Sequence, residues 1–239
     1  MKHVPFTKMQ AQGNDFVILN GLHAALPELS ERLILAITER RYGVGCDQLL
    51  ALLPSDAAHA RMRIFNNDGS EAANCGNGLR CAGDLLMREM DKQQVSIALA
   101  DRIVDIERSG RGIRVDMGAA TITGRSEAHV DVEIGNLHRV FLEATEPFPT
   151  DRNIEIITGR AKDHVYLDII ERGAGHTPAC GSGAAAAAAA IWHADGRAAP
   201  LHIDMPGGSV LVSGCIENLI LEGGVCRTFT GAFSTGDCL

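Results

Sequence analysis

Two stretches of the chain, FNNDGSEAANCGNGLRCAGDLL at residues 65–86 and IERGAGHTPACGSGAAAAAAAI at residues 170–191, carry one pattern twice. In each, a β-like run ends on a polar residue nine positions before a cysteine, Asn66 before Cys75 and Glu171 before Cys180. A Gly-containing loop follows, then Cys-Gly-(Asn/Ser)-Gly, then a helix-forming run. A second echo lies upstream, GNDFVIL at 13–19 and GNLHRVFL at 135–142. Features recurring in the same order point to an internal duplication of one βαβ-rich unit, the two copies facing each other. Division falls after Gly118, at the polar stretch TITGRSEAH, giving expected domains of 1–117 with Cys75 and 118–239 with Cys180, and leaving the extreme C-terminal tail room to pack back on the first.

Short β-like runs dominate the remainder: Phe16–Leu19, Leu49–Leu53, Arg61–Phe65, Val95–Leu99, Ile103–Ile106 and Ile113–Met117, then Val130–Ile134, Val140–Leu142, Val165–Ile170, Leu201–Ile203, Val210–Val212, Leu219–Leu221 and Arg227–Phe229. Helical spacing of apolar residues marks Glu28–Arg40. Two further helices start at the cysteine motifs, near Gly76 and near Gly181, the second running through seven alanines to Ala194 with Gly196 as its stop.

Composition excludes several classes. A formal net charge of −8 without a basic run argues against nucleic acid. No apolar stretch approaches the ~20 residues of a spanning helix, and the start MKHVPFTKMQ lacks the apolar core of a secretory signal, so the expected location is the cytoplasm, with no membrane partner. Seven scattered cysteines, an odd number with no CxxC pair, do not form a disulfide framework. Cys46, Cys215, Cys226 and Cys238 read as buried small hydrophobes, and Cys81 as helix packing. His3, His23, His59, His129, His164, His193 and His202 show no ligand spacing, so no metal is expected.

A cysteine at a helix start is chemistry. Unpaired N–H groups and the positive dipole end favour its thiolate, and the same groups of Gly76–Asn77 and Gly181–Ser182 suit a carboxylate. Two such sites, one on each side of a cleft, suit proton exchange at a carbon next to a carboxylate. One thiolate removes the proton from one face, the opposite thiol delivers a proton to the other, and positive potential holds the charge between.

The segments KMQAQGNDF, GVGCDQLL, FNNDGSEAANCGNGLRC, GNLH and ERGAGHTPACGSG resemble, in order, those of diaminopimelate epimerases, from about Lys8 to the C-terminal region. The resemblance implies an α+β fold of two pseudo-symmetric domains, each a mostly antiparallel sheet wrapped around a central helix, with the active site in the cleft between them. It implies a homodimer, no pyridoxal phosphate or other cofactor, and epimerisation of LL-diaminopimelate to the meso form for lysine and peptidoglycan synthesis. Position by position it makes Cys75 and Cys180 the catalytic thiols, supported by His138 and Glu171. Substrate contacts fall on Asn14, Gln48, Asn66, Gly76, Asn77, Asn136, Asn153, Glu171, Arg172, Gly181 and Ser182. The arginine matches a second amino-acid head, whose carboxylate needs a guanidinium.

This chain departs from the family pattern at Leu137, where Gly-Asn-Pro-His is usual, and at His176, where many members carry a second glutamate. Alternatives are a racemase of another amino acid such as histidine, which keeps both thiols and changes the distal pocket, and a thiol redox switch, which needs no carboxylate pocket. A carboxylate-binding module has no need of two thiols.

Overall fold

The alanine run decides how one half of the protein packs. Ala184–Ala190 are all fully buried, because a helix with no side chain beyond Cβ lets strands approach on every side. The computed structural model describes residues 3–143 and 148–235, so Cys238 lies outside the described residues. In chain order the elements are β1 (His3–Ala11), β2 (Asn14–Asn20), α1 (Glu31–Thr38), β3 (Gln48–Leu53), β4 (Ala60–Asn66), β5 (Glu71–Ala72), α2 (Gly76–Glu89), β6 (Gln94–Ala98), β7 (Ile103–Ser109) and β8 (Gly112–Gly118). Then come β9 (Thr121–Arg125), β10 (His129–Glu133), β11 (Leu137–Phe141), β12 (Asn153–Ala161), β13 (His164–Glu171), β14 (Gly175–His176), α3 (Gly181–Asp195), β15 (Leu201–Met205), β16 (Gly208–Cys215), β17 (Asn218–Gly223) and β18 (Cys226–Ser234). This is a strand-rich α+β protein, and among the described residues no helix is long and apolar enough to cross a membrane.

Two compact units form. The first gathers the described residues of 1–11, 15–108 and 225–239; the second gathers 12–14 and 109–224. In the first, β1 pairs antiparallel with β18, β2 runs parallel to β3, and β3 pairs antiparallel with β4. β4 takes β5 antiparallel on one side and β6 parallel, and β6 pairs antiparallel with β7. β3 is buried on both faces: Leu49 and Ala51 join Leu33, Ile34 and Ile37 of α1, while Leu50 meets the first turn of α2 at Gly78.

The second unit repeats this connectivity. β11 runs parallel to β12, β12 pairs antiparallel with β13, and β13 takes β14 antiparallel and β15 parallel. β15–β16–β17 continue antiparallel, and β10 joins β9 and β11. β10, β11, β12, β15, β16 and β17 all pack on α3, so the sheet curls around that helix.

Several elements differ from the sequence reading. α1 is shorter than 28–40, since Ser30 caps it by accepting from the Leu33 N–H at 3.3 Å. The polar stretch after Gly118 holds β9, a half-exposed strand paired with β10. β8 pairs with β17 and groups with the second unit, so the contact boundary falls at 108/109, while β18 returns to β1 in the first. β1 and β12 have no counterpart among the runs read from sequence. Of the cysteines expected inside, Cys46 is buried, but Cys215 is half-buried at a hairpin end and Cys226 is exposed on β18.

Because Ala187 is fully buried, Ala187→Leu has no space to fill. Overpacking is expected to cost ~1–3 kcal/mol in a urea unfolding experiment, despite leucine's good helix propensity.

Candidate active site

Both motif cysteines are the N-caps of their helices. Cys75 adopts an extended conformation (φ −154°, ψ 104°) ahead of α2, and its Sγ accepts from the Gly78 N–H at 3.3 Å. Cys180 does the same ahead of α3 (φ −129°, ψ 116°), accepting from the Gly183 N–H at 3.4 Å. The sulfur thus stands where a serine or aspartate oxygen usually sits. Gly78 and Gly183 leave room for it, since a Cβ on Gly78 would lie 3.4 Å from the Cys75 sulfur and one on Gly183 would lie 3.2 Å from the Cys180 Cβ.

The surroundings differ. Cys75 is half-exposed, and five residues further along α2 lies Arg80, fully buried, with its guanidinium held by Asn77 Oδ1 at 2.5 Å. Burial lowers the Arg80 pKa to about 10 against the opposing influence of the Cys81 and Cys75 thiols. Also in the first unit, Gln48 Nε2 donates to Asn66 Oδ1 (2.8 Å) across the β3–β4 ladder, and Asn66 Nδ2 donates to Ser70 Oγ (2.9 Å).

In the second unit, Cys180 is buried, and Ser182 Oγ lies 3.4 Å from its sulfur. Glu171 ends β13, accepts from Thr177 Oγ1 at 2.6 Å, and is pushed above the usual carboxylate range, mainly by burial. Burial, then the charges of Glu171 and Glu155, push the Cys180 thiol well above its ordinary value; the Ser182 hydroxyl and the Gly183 N–H pull the other way and lose. A helix start alone predicts a stabilised thiolate, but at Cys180 desolvation and two carboxylates outweigh it. His138 is fully buried on β11, its Nδ1 2.8 Å from Glu155 Oε1. Asn153 Oδ1 accepts from the Arg172 backbone N–H at 2.9 Å, and the Arg172 side chain stands exposed.

Of the residues read from sequence, Cys180, Glu171, His138, Ser182 and Gly181 gather at one helix start, with Asn153 and Arg172 on the adjoining strand ends. Cys75, Gly76 and Asn77 share the other helix start, with Gln48 and Asn66 bonded to each other on their own strands. Asn14 begins β2 in the hairpin that groups with the second unit, and Gly13 beside it packs on Pro178. Asn136 occupies the β10–β11 turn, its carbonyl accepting from the Ile134 N–H at 3.1 Å. Leu137 and His176, the two departures from the family pattern, are both exposed. Glu155 was missed: in the sequence it looks like any surface strand carboxylate, and only its parallel neighbour β11 makes it a partner for His138.

One group of potential metal ligands exists among the described residues. Asp163, His164 and His202 offer ligand atoms within 4.8 Å of one another, because the parallel register of β13 and β15 sets His164 beside His202. Their rings stack at 4.7 Å with 13° between planes, and Asp204 takes His164 Nδ1 at 2.8 Å. Ring-nitrogen lone pairs lie in the ring plane, so stacked rings cannot both address one ion without rotating apart.

A raised Cys180 pKa means a neutral thiol at pH 7 and a thiolate fraction that grows tenfold per pH unit. Iodoacetamide labelling of Cys180, followed by peptide mass mapping, should therefore still be climbing at pH 9. In the denatured chain the rate should level off above about 8.5. A plateau in the folded protein below pH 8 would contradict the electrostatics described above.

A family model described as Diaminopimelate epimerase matches residues 6–123 and 129–227. A diaminopimelate epimerase of Erythrobacter litoralis (strain HTCC2594) is 31% identical, covering 98% of this chain and 98% of its own. That of Desulforudis audaxviator (strain MP104C) is 36% identical over 87% of this chain and 90% of its own. Among solved structures, a hydroxyproline epimerase from Agrobacterium vitis superposes with a TM-score of 0.74 at 14% identity, covering 96% of this chain and 92% of its own. A predicted epimerase from Pseudomonas aeruginosa gives 0.77 at 16%, covering 97% and 99%. The structural neighbours carry the fold, and the sequence relatives carry more: the chain belongs to the diaminopimelate epimerase family.

Proposed function

We propose that the protein interconverts LL- and meso-diaminopimelate by passing protons between substrate and two thiols, Cys75 and Cys180, without pyridoxal phosphate. The family match makes it an isomerase acting as an amino-acid epimerase. The observation that carries the mechanism is the pair of cysteine N-caps at equivalent helix starts, each with first-turn N–H groups suited to a carboxylate. Required of the fold is that the sulfurs reach opposite faces of one α-carbon.

Cys180, held as a neutral thiol, is the acid of the resting enzyme. Cys75 as thiolate takes the α-proton, the C–H electron pair passes into an enediolate-like carbanion, and Cys180 S–H protonates the other face. The enzyme is left with a Cys75 thiol and a Cys180 thiolate, the pairing that runs the reverse direction. Glu171 and His138 support Cys180, and backbone N–H groups around Gly76, Asn77, Gly181 and Ser182 hold the reacting carboxylate. Arg172 takes the distal carboxylate, with Asn14, Gln48, Asn66, Asn136 and Asn153 fixing the rest of the substrate. The protein works as a cytoplasmic homodimer serving lysine and peptidoglycan synthesis. A racemase of another amino acid is the reading set aside by the family match.

Replacing either Cys75 or Cys180 by Ala should lower turnover by roughly 10²–10⁴-fold, the usual worth of one acid–base partner, with circular dichroism unchanged. The measurement is α-proton exchange and epimerisation of LL-diaminopimelate in deuterated water, and near-normal turnover by either variant rules out the two-thiol mechanism. Arg172→Lys keeps a charge but loses the fork, so kcat/KM should still fall substantially. A higher kcat/KM for L-histidine or L-lysine than for LL-diaminopimelate would transfer the assignment to the racemase reading and leave the thiols their roles.

A further inference from the structure

The duplication supplies an internal control for the Cys180 site. Phe16 on β2 stands opposite Gln48 of β3 in parallel register, and His138 on β11 stands opposite Asn153 of β12 in the same way. Two residues further along those partner strands lie Leu50 and Glu155. The next layer matches as well. A Cβ on Gly78 would meet the Leu50 methyl carbons at 3.3 Å, and one on the equivalent Gly183 would meet Glu155 Oε1 at 2.4 Å. Phe16, Leu50, His138 and Glu155 are all fully buried. One unit therefore fills this place with an apolar pair, and the other fills the same place with an imidazole and a carboxylate bonded at 2.8 Å.

The polar pair is a costly way to fill a space that phenylalanine and leucine fill elsewhere in the same chain. It is also only half satisfied: His138 Nε2 and Glu155 Oε2 are buried with no hydrogen-bond partner among the described residues. Orphaned groups of this kind are rare and call for a use. The groups at this helix start come from four elements, His138 from β11, Glu155 from β12, Glu171 from β13, and Cys180 with Ser182 from the head of α3. Both carboxylates act on the thiol, and His138 acts on Glu171.

We propose that Glu155 is a positioning residue: by accepting from His138 Nδ1–H it fixes the tautomer and orientation of the ring and leaves Nε2 as the nitrogen available to the Glu171–Cys180 cluster. A carboxylate on one ring nitrogen decides what the other nitrogen does. The close approach of Gly183 to Oε1 sets the carboxylate from its other side, so the glycine serves the pair as well as the helix. This inference rests on the reading of Cys180 as an acid–base group.

Three variants separate the role from simple folding. Glu155→Gln keeps shape and removes the charge; kcat for diaminopimelate epimerisation should fall roughly 10–100-fold, with KM within about threefold. Gly183→Ala leaves the charge and displaces it, and should reproduce the kcat loss. His138→Phe with Glu155→Leu copies the pair of the other unit; its urea midpoint should equal or exceed that of the wild type while turnover collapses. In 15N–1H correlation spectra the wild type should show a protected His138 Nδ1–H that is lost in Glu155→Leu, which has no acceptor. Turnover within twofold of wild type in Glu155→Gln overturns the proposal, and so does a His138 ring without that protected proton. Should wild-type protein exchange no α-proton of diaminopimelate, the functional reading falls, while the nitrogen spectra still decide whether Glu155 fixes the ring.

Discussion

A helix buried from its first turn must find acceptors for N–H groups that its own backbone cannot satisfy. In this protein both central helices meet part of that constraint with a sulfur, which accepts from Gly78 N–H in one and from Gly183 N–H in the other. Gly76 to Met87 and Gly181 to Trp192 are buried residue by residue, so water is no substitute for a cap. The cysteine, the glycines that clear space beside it, and the strands that close over it form one packing solution used twice. The group that caps each helix is also a weak acid.

The two uses have diverged. In the first turns of α2 the buried charge is Arg80, drawn toward its own helix by Asn77. Around α3 the buried charges are carboxylates, and alanine replaces almost every larger side chain. Sequence identity between the halves is faint, yet parallel and antiparallel pairings recur in the same order. Topology has been held by the requirement to wrap a helix, while the electrostatics at each helix start was free to change.

Much of this was legible from residues alone. Cys-Gly-x-Gly followed by helix formers located α2, α3 and a thiol at the start of each, while the capping role of that thiol came from the structure. β12 was not legible. Its alternation is broken by Glu155, whose burial depends on a histidine 17 residues away in sequence. The acidity of Cys180 was misjudged for a related reason, since its burial, and after it the charges of Glu171 and Glu155 on separate strands, are set by tertiary packing. Cys226 looked like core material, but its strand is exposed through Ala232. Local pattern reveals what a segment does for itself; cross-strand register decides what it does for others.

The pairing of β1 with β18 sets His3 against Ser234, almost the whole length of the chain apart. During synthesis β1 emerges before the other described strands and then waits for β18, which is made after all of them. The second unit, one contiguous stretch plus a three-residue hairpin made earlier, has all of its residues by the time Gly224 is made. The first unit, though most of it is translated earlier, closes its sheet only once β18 has been made. Order of birth and order of completion are therefore reversed in this protein, and the exposed edge of β1 is the surface a nascent chain must keep from other partners in the interval.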